Sequence, residues 1–318
     1  MSFLQQFLEY ESICIQCHNN PDPDTLAAAL GVYIYLTEHG VQTQIIYGGA
    51  ERVKKKNLKY MIKECEIPVT YVTELPKTQL LLLVDCQYGQ GNVQQFFAPE
   101  VAQIDHHPKR QNTIQKELVD TSYQSCSTII WELLEQDGYP VIENQKLCVA
   151  LLYGLYTDTA SYSDLYKKHD MAMREALGEE YAQLEWLKKS CMTVAELMIA
   201  GDALHNFYFD TEKRFVVIPA IHCQQAILGI IGDMAIQVDI ARISVAYTDA
   251  GNGYQLSIRS CDRAVPANDL MEYICENIGS GGGHIDKAGG RISHENLQKL
   301  YGDRDVKEVI IERVCKFL

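Results

Sequence analysis

Eight acidic and histidine side chains in this sequence lie in or close behind runs of apolar residues. In chain order they are His18, Asp22, Asp24, Asp85, Asp105, His106, His107 and Asp158. Carboxylates that are packed together repel one another unless cations lie between them, so a cluster of these side chains would need metal ions. Mixed carboxylate and imidazole ligands suit Mn²⁺ and related divalent ions, and the set contains no cysteine, which argues against a structural zinc site.

A pair of such ions would provide hydrolytic chemistry. When two divalent ions lie about 3.5–4 Å apart and are bridged by a carboxylate and a hydroxide, the hydroxide can attack phosphorus and the ions stabilise the charge that develops there. A lone Asp at the end of a strand is more often a helix cap or a turn former, and Asp24 would suit the start of a following helix. Because such groups recur after several apolar runs, a metal site is favoured over a series of separate caps.

The apolar runs themselves predict a parallel sheet. The predicted strands are SICIQC (12–17), VQTQIIY (41–47), QLLLLVD (79–85) and VAQID (101–105), and the predicted helices cover 24–40, 125–138 and 144–158. Strands that alternate with helices favour a mostly parallel sheet with both faces covered. Functional groups in such sheets gather beyond the carboxyl ends of the strands, so we expect the eight side chains to meet at one edge.

The second half of the chain has a different pattern. Residues 164–205 are helical and charged, and the strand-like runs RFVVIPA, ARISVAYTD and GYQLSIRS follow, with helical stretches after them. We therefore predict an α/β fold in three parts. These are an N-terminal domain with a mostly parallel sheet flanked by helices (1–185), a helical connector (186–205) and a smaller C-terminal α/β domain (206–318).

Composition and charge exclude several classes of protein. The 318 residues are 47% hydrophobic and 22% charged, which is typical of a globular chain of roughly two domains and excludes a disordered or fibrous one. With 42 acidic and 28 basic residues, the formal net charge is −14. This argues against binding long nucleic acid, which needs clustered Lys and Arg, but allows a small anionic substrate. The oligomeric state stays open, with a homodimer among the alternatives.

The eleven cysteines predict reduced thiols and a cytoplasmic protein. The start, MSFLQQFLEY, lacks the basic and apolar segments of a signal peptide, and the apolar runs are too short to span a bilayer, so no membrane partner is expected. Cys14 and Cys17 form a CxxC motif, but they lie in a predicted strand, where residues three apart point to opposite faces. We interpret them as core residues rather than as a redox or zinc pair.

The ordered acidic and histidine residues resemble the DHH family of phosphoesterases, which includes RecJ-type exonucleases, family II pyrophosphatases and nanoRNase/pAp-phosphatase-type enzymes. The resemblance covers nearly the whole chain. His18, Asp22 and Asp24 match the first motif, Asp85 the second, Asp105-His106-His107 the third and Asp158 the fourth.

The resemblance implies two Mn²⁺ ions per active site, with Mg²⁺ or Co²⁺ as substitutes. It implies that His18, Asp22 and Asp85 hold one ion and that Asp24, Asp85, His106 and Asp158 hold the other, with Asp85 bridging the two. It also implies catalytic roles for Asp85, Asp105 and His107: Asp105 orients the metal ligands from behind, and His107 contacts the scissile phosphate.

A second signature resembles the Gly-rich loop of the DHH-associated C-terminal domain. It comprises Ser280, Gly281, Gly282, Gly283 and His284, followed by Lys287, Ala288 and Gly289. Glycines let a backbone approach a phosphate closely, and His284 can donate to the phosphate oxygens. The chain departs from the family at Ser280, where the family has a glycine, and at the Lys287-Ala288 pair. These departures bear on the choice of substrate rather than on the metal ligands.

Arg259, in the run LSIRS, matches the family's strand arginine that reaches the substrate phosphate or base. Arg263 and Lys287 are weaker candidates for substrate binding, because no motif contains Arg263 and none assigns a role to Lys287.

Together, the residues and the resemblance predict a manganese-dependent hydrolase of small nucleotide phosphate esters. The expected substrates are short oligoribonucleotides, pApA and related cyclic-dinucleotide products, or pAp. The metal-bridging hydroxide attacks phosphorus, and the C-terminal residues hold the rest of the nucleotide. Two alternatives stay open: hydrolysis of inorganic polyphosphate or pyrophosphate, and a regulatory module that binds nucleotides without catalysis. The Gly-rich signature argues against the pyrophosphatase branch.

Overall fold

The computed structural model describes residues 2–50, 52–109, 114–178, 180–189 and 192–318, with only the backbone for 225 and 226. The chain forms two compact units, 1–191 and 192–318. The predicted connector, 186–205, spans this division. Within the described ranges, no helix has both the length and the apolar character needed to cross a membrane.

A fully parallel six-stranded sheet forms the centre of the first unit, in the order β3-β2-β1-β4-β5-β6. Its strands are β1 (Ser12–Gln16), β2 (Gln42–Tyr47), β3 (Val69–Tyr71), β4 (Leu80–Val84), β5 (Glu100–Asp105) and β6 (Lys116–Val119). Its helices are α1 (Pro23–Glu38), α2 (Lys56–Glu64), α3 (Cys126–Gln136), α4 (Gln145–Asp158), α5 (Lys168–Leu177) and α6 (Ala182–Lys189). The predicted parallel sheet is confirmed.

The chain leaves β1 toward β2 on one side and leaves β4 toward β5 on the other, although β1 and β4 are neighbours. The connections beyond these two strands therefore diverge. Such a switch in strand order opens a crevice at the carboxyl edge of the sheet, which is where open α/β sheets bind ligands.

The two faces of this sheet are covered differently. Ile13 and Ile15 of β1 pack into a core with α1, α3 and α4, whereas Cys14 packs on the opposite face with Val93 and Phe96 of the irregular segment between β4 and β5. Cys17 belongs to the helical side, so the two cysteines of the CxxC motif point to opposite faces, as their spacing predicts. All cysteines in the described part of the chain are free thiols.

The second unit contains a mixed sheet in the order β11-β12-β10-β9-β8-β7, in which the β8–β9 pair is parallel and the other pairs are antiparallel. The strands are β7 (Tyr208–Asp210), β8 (Phe215–Pro219), β9 (Ile243–Asp249), β10 (Gly253–Ser260), β11 (Gly279–Gly283) and β12 (Lys287–Ser293). The helices are α7 (Val194–His205), α8 (Gln225–Ala235), α9 (Ala267–Cys275), α10 (His294–Tyr301) and α11 (Val306–Phe317). Helices α9 and α11 pack on one face, and α7 and α8 on the other.

The expectation of a Gly-rich loop was wrong. Gly279–Gly283 form β11, an edge strand paired along its length with β12. The glycines are needed for close packing: a Cβ on Gly281 would lie 2.5 Å from Met271 Cγ in α9, and a Cβ on Gly279 would lie 1.8 Å from the Arg291 carbonyl oxygen. A sequence motif shows that the backbone must come close to something, but it does not distinguish a ligand from a neighbouring element.

Candidate metal centre

The first group of site residues lies where β1 passes into α1. His18 follows the strand, and Asp22 is the residue at the N-terminal cap of α1, where its Oδ1 accepts hydrogen bonds from the Asp24 and Thr25 amides, both at 3.1 Å. Asp24 lies in the first turn of the helix and is fully buried. The capping role that suits an acidic residue here therefore belongs to Asp22, which leaves the Asp24 carboxylate for other partners.

Asp85 comes directly after β4 and is buried. Its φ angle is 59°, in the left-handed region that residues other than glycine rarely occupy. The Asp85 amide donates to the Ile104 carbonyl at 2.9 Å, which ties this bend to the end of β5. Strained backbone of this kind persists where the surroundings hold it in place, and it concentrates at functional sites.

The Asp85 carboxylate lies between two imidazoles. His18 Nε2 is 3.7 Å from Asp85 Oδ2 and 3.4 Å from Asp22 Oδ2. His106 Nε2 is 3.3 Å from Asp85 Oδ1, 3.4 Å from Asp158 Oδ2 and 3.9 Å from Asp24 Oδ2. The two oxygens of one carboxylate thus face two separate groups of potential ligands.

These groups fit metal ions. The potential ligand atoms of His18, Asp22 and Asp85 lie within 4.8 Å of one another, and so do those of Asp24, His106 and Asp158. Asp85 Oδ1 and His106 Nε2 are buried, yet neither makes a hydrogen bond within the described residues. Buried polar atoms without partners are costly, and a cation between them would satisfy both.

The electrostatics of the cluster without metal lead to the same conclusion. Burial and the neighbouring carboxylates of Asp158 and Asp85 raise the pKa of Asp24 well above its usual value, and burial, with Asp22 and Asp158, raises the pKa of Asp85 to about 6. Burial alone would lower the pKa of His18, but Asp22 and Asp85 outweigh it and raise this pKa to about 9. Without metal, the cluster therefore retains protons that offset part of its negative charge. Bound divalent cations would take over this role.

The N-terminus of α3 holds Asp24 in place. The Cys126 and Ser127 amides donate to its carboxylate at 2.6 and 2.9 Å, and the Ser127 hydroxyl donates as well. A Cβ on Gly154, in α4, would lie 2.2 Å from Ser127 Oγ and 2.9 Å from Asp24 Oδ1. Sequence reasoning missed both positions. The serine-rich start of α3 was a usable signal, but a glycine inside an apolar helix carries none.

Asp105 contacts both histidines that follow it. Its Oδ1 accepts from His107 Nδ1 and from the His106 amide, both at 2.9 Å, and its Oδ2 accepts from Gln87 Nε2 at 2.7 Å. The Asp105 carboxylate raises the pKa of His107, whose side chain is about half exposed (46%). Gln87 is a buried side chain that the sequence did not single out.

In the second unit, Arg259 lies against α8. Its Nε donates to Asp233 Oδ1 at 2.6 Å and its Nη1 to Ser257 Oγ at 3.0 Å. A Cβ on Gly229 would lie 2.5 Å from Arg259 Nη2, so this glycine makes room for the guanidinium group. Asp233 and Gly229 therefore set the orientation of Arg259, and neither was recognised from the sequence.

His284 follows β11 and begins the turn into β12. Its amide donates to the Lys287 carbonyl at 2.7 Å, and its own carbonyl accepts from the Asn268 amide at the start of α9 at 3.1 Å. Lys287 is paired with Arg259 across β12 and β10. A Cβ on Gly282 would meet no atom within 4 Å, unlike those on Gly281 and Gly283. Packing inside this unit thus explains two of the three predicted glycines but not Gly282.

The structure brings together all eight predicted side chains of the first unit, which we call the carboxylate–imidazole cluster: His18, Asp22, Asp24, Asp85, Asp105, His106, His107 and Asp158. Arg259, Lys287 and His284 lie close to one another in the second sheet, where β10 ends and β12 begins. Their roles in binding and catalysis stay predictions.

Two family models match the chain: the N-terminal domain of the DHH family over residues 12–155, and the DHHA1 domain over residues 213–310. A cyclic-di-AMP phosphodiesterase (GdpP) from Geobacillus thermodenitrificans is 24% identical over 169 residues, which are 49% of this chain and 26% of that protein. Two further curated relatives, from Mycoplasma pneumoniae and Mycoplasma genitalium, are matched over 46% and 49% of their length, so the match covers half or less of each of these three relatives.

Solved structures share the fold. An exopolyphosphatase-related protein from Bacteroides fragilis superimposes with a TM-score of 0.75 at 16% identity, over 99% of this chain and 96% of that chain. RecJ from Thermus thermophilus in complex with Mn²⁺ superimposes with a TM-score of 0.56 at 14% identity, over 99% of this chain and 54% of that one. The two matched domains show that the chain belongs to the DHH family and combines a DHH domain, which carries the cluster, with a DHHA1 domain.

Proposed function

We propose that this chain hydrolyses phosphate esters of small nucleotides with two bound divalent cations, and that Mn²⁺ is the preferred ion. The observation that carries the proposal is the position of Asp85, whose two oxygens face His18 and His106 while each imidazole also faces a further carboxylate. Oxygen and nitrogen ligands without sulfur suit Mn²⁺. The RecJ structure with Mn²⁺ supports the choice of ion.

In the proposed arrangement, one ion would be held by His18, Asp22 and Asp85. The other would be held by Asp24, Asp85, His106 and Asp158. When bound, the ions supply Lewis-acid stabilisation and an activated water for attack on phosphorus. Asp105 holds His107 through Nδ1 and favours its protonated form, so that the other ring nitrogen can donate to an oxygen of the scissile phosphate.

The second unit would bind the rest of the substrate. Arg259 is held rigidly by Asp233 and Ser257, which prepares its guanidinium group for a phosphate or a base. His284 and the β11 glycines Gly281, Gly282 and Gly283 would approach a phosphate, with the open space at Gly282 as the point of contact. The proposed substrates are short oligoribonucleotides, pApA and related products, and pAp. The phosphodiesterase activity in the name of the Geobacillus relative supports this class.

The experiment that tests the proposal measures Mn²⁺-dependent product release from pApA, a short RNA, pAp, cyclic di-AMP, pyrophosphate and polyphosphate. Wild type and Asp85→Ala are compared, and bound metal is counted by elemental analysis. Hydrolysis of a nucleotide that is lost in the variant is the expected result. Preference for pyrophosphate or polyphosphate would replace the proposed substrate class, and nucleotide binding without turnover would replace the enzyme by a binding module.

A further inference from the structure

One stretch of this acidic chain is strongly basic. Residues 52–63, RVKKKNLKYMIK, contain six of the 28 Lys and Arg residues and no Asp or Glu. The stretch includes most of α2, whose Leu58 and Met61 are buried while its lysines are exposed.

The basic stretch begins at the same edge of the sheet as the carboxylate–imidazole cluster. It follows the carboxyl end of β2, and β2 pairs in parallel with β1, which leads into His18. The connection is close: a Cβ on Gly49 would lie 2.7 Å from Asn19 Cβ, next to His18.

The start of the stretch is held in position by its neighbours. The Val53 amide donates to the Tyr47 hydroxyl at 3.0 Å, the Arg52 guanidinium lies 4.8 Å from the centre of the Tyr71 ring, and Asn57 Nδ2 donates to the Tyr153 hydroxyl in α4 at 2.8 Å. Anchored backbone with exposed charged ends suits recognition of an anion, because little flexibility is lost on binding.

The charges at this end are available to a ligand. Lys55 and Lys56 are exposed and form no ion pair with any residue that the structure describes. The acidic residues after the stretch are engaged elsewhere, Glu64 with Lys63 at 3.2 Å and Glu66 with Lys146 at 2.6 Å. Exposed lysines next to a cluster of carboxylates would attract a polyanion that the net charge of −14 otherwise repels.

We propose that Arg52, Lys55 and Lys56, here called the basic rim, bind a phosphate group of the substrate other than the one that is hydrolysed. The inference rests on the proposed function and narrows it. A substrate that uses both the metal centre and the rim carries phosphates separated by a nucleoside, as a 5′-phosphorylated dinucleotide or short oligonucleotide does. In pyrophosphate a single oxygen joins the two phosphates, so it lacks this separation.

The test compares pApA with ApA, which has the same internal phosphodiester but lacks the 5′-phosphate. Steady-state kinetics are measured for wild type, for Lys55→Gln/Lys56→Gln, and for Lys63→Gln as the control at the far end of α2. We expect the double variant to raise KM for pApA about tenfold with kcat retained, and to leave KM for ApA unchanged. Lys63→Gln should change neither value.

An unchanged KM for pApA in the double variant would overturn the inference, and so would an equal rise for pApA and ApA, which would indicate a general effect of charge. Binding of fluorescently labelled pApA, with Ca²⁺ in place of Mn²⁺, tests the rim independently of turnover. If wild type hydrolyses no nucleotide, the proposed function fails. A tenfold loss of pApA affinity in the double variant would then still support the rim, and equal affinity would refute it.

Discussion

The carboxylate–imidazole cluster of the first unit differs in composition from the region of the second unit that contains Arg259 and His284. The cluster consists of acidic and histidine side chains, buried or partly buried, that converge from the ends of β1, β4 and β5 and from α1 and α4. The second region consists of one guanidinium group, one turn and a strand of glycines, and its support is backbone packing.

This difference suggests separate roles: the cluster for the hydrolytic step and the second region for binding the substrate. The carboxylates of the cluster repel one another unless cations or protons lie between them, so a change there should alter metal binding and kcat. The second region contains no group of potential metal ligands among its described residues, so a change there should alter KM.

The largest effect is expected from Asp85→Asn. Asn tolerates the left-handed backbone that Asp85 adopts, so the fold should persist while the charge shared by the two ligand groups disappears. We expect kcat to fall by about 10³-fold or more and the number of bound metal ions to fall below two. Circular dichroism and elemental analysis provide the checks. Near-wild-type activity would mean that Asp85 is not the shared ligand.

Gly154→Ala tests whether the support of the cluster matters as much as its ligands. The added methyl group must displace Ser127 or Asp24, so we expect kcat to drop about 10- to 100-fold and stability to fall by about 1–3 kcal/mol. Gly201→Ala in α7 is the matched control, because its Cβ would meet nothing within 4 Å. There the alanine should stabilise the helix by about 0.5–1 kcal/mol. Equal behaviour of the two variants in urea denaturation would contradict the packing argument.

Arg259→Lys tests the second region. Lysine keeps the charge but loses the fork that bonds to Asp233 and Ser257 at once. We expect KM for a nucleotide to rise about tenfold with kcat and metal content unchanged. A fall in kcat without a change in KM would indicate that Arg259 acts in the hydrolytic step. The two units would then not differ in the way proposed.

The smallest effect is a pH dependence of metal binding. The pKa of Asp85 is about 6 in the protein without metal because of its burial and its acidic neighbours. Below pH 6 this carboxyl holds a proton that a cation must displace, so affinity should fall as the pH falls. The rise in Tm on adding Mn²⁺ should therefore be larger at pH 8 than at pH 5, by a few degrees. A shift independent of pH would show that protons do not compete at this site.

Much of the first unit could be read from the sequence. Helices predicted at 24–40, 125–138 and 144–158 correspond to α1, α3 and α4, within two residues at every end. Their apolar faces bury against one sheet, and such periodicity is a local signal. The short strands β3 and β6 were not predicted, because three or four residues of moderate hydrophobicity carry no pattern of their own. The nine-residue basic helix α2 was not predicted either.

The structure of the Gly-rich stretch 279–283 could not be predicted from its local sequence. Its composition indicates a close approach of backbone, but its pairing with β12 and its packing on Met271 depend on residues far along the chain. The same holds for Gln87, Gly154 and Asp233. Each acts on a functional residue that is distant in sequence or lies on another element.

The identity and order of the acidic and histidine residues were enough to predict the family and the class of chemistry, because metal ligands must be particular residue types placed after particular strands. How those residues are held was a matter of three-dimensional packing. The bend at Asp85, the α3 amides on Asp24 and the missing side chain at Gly154 exist only once separate elements meet, and no local pattern encodes such a meeting.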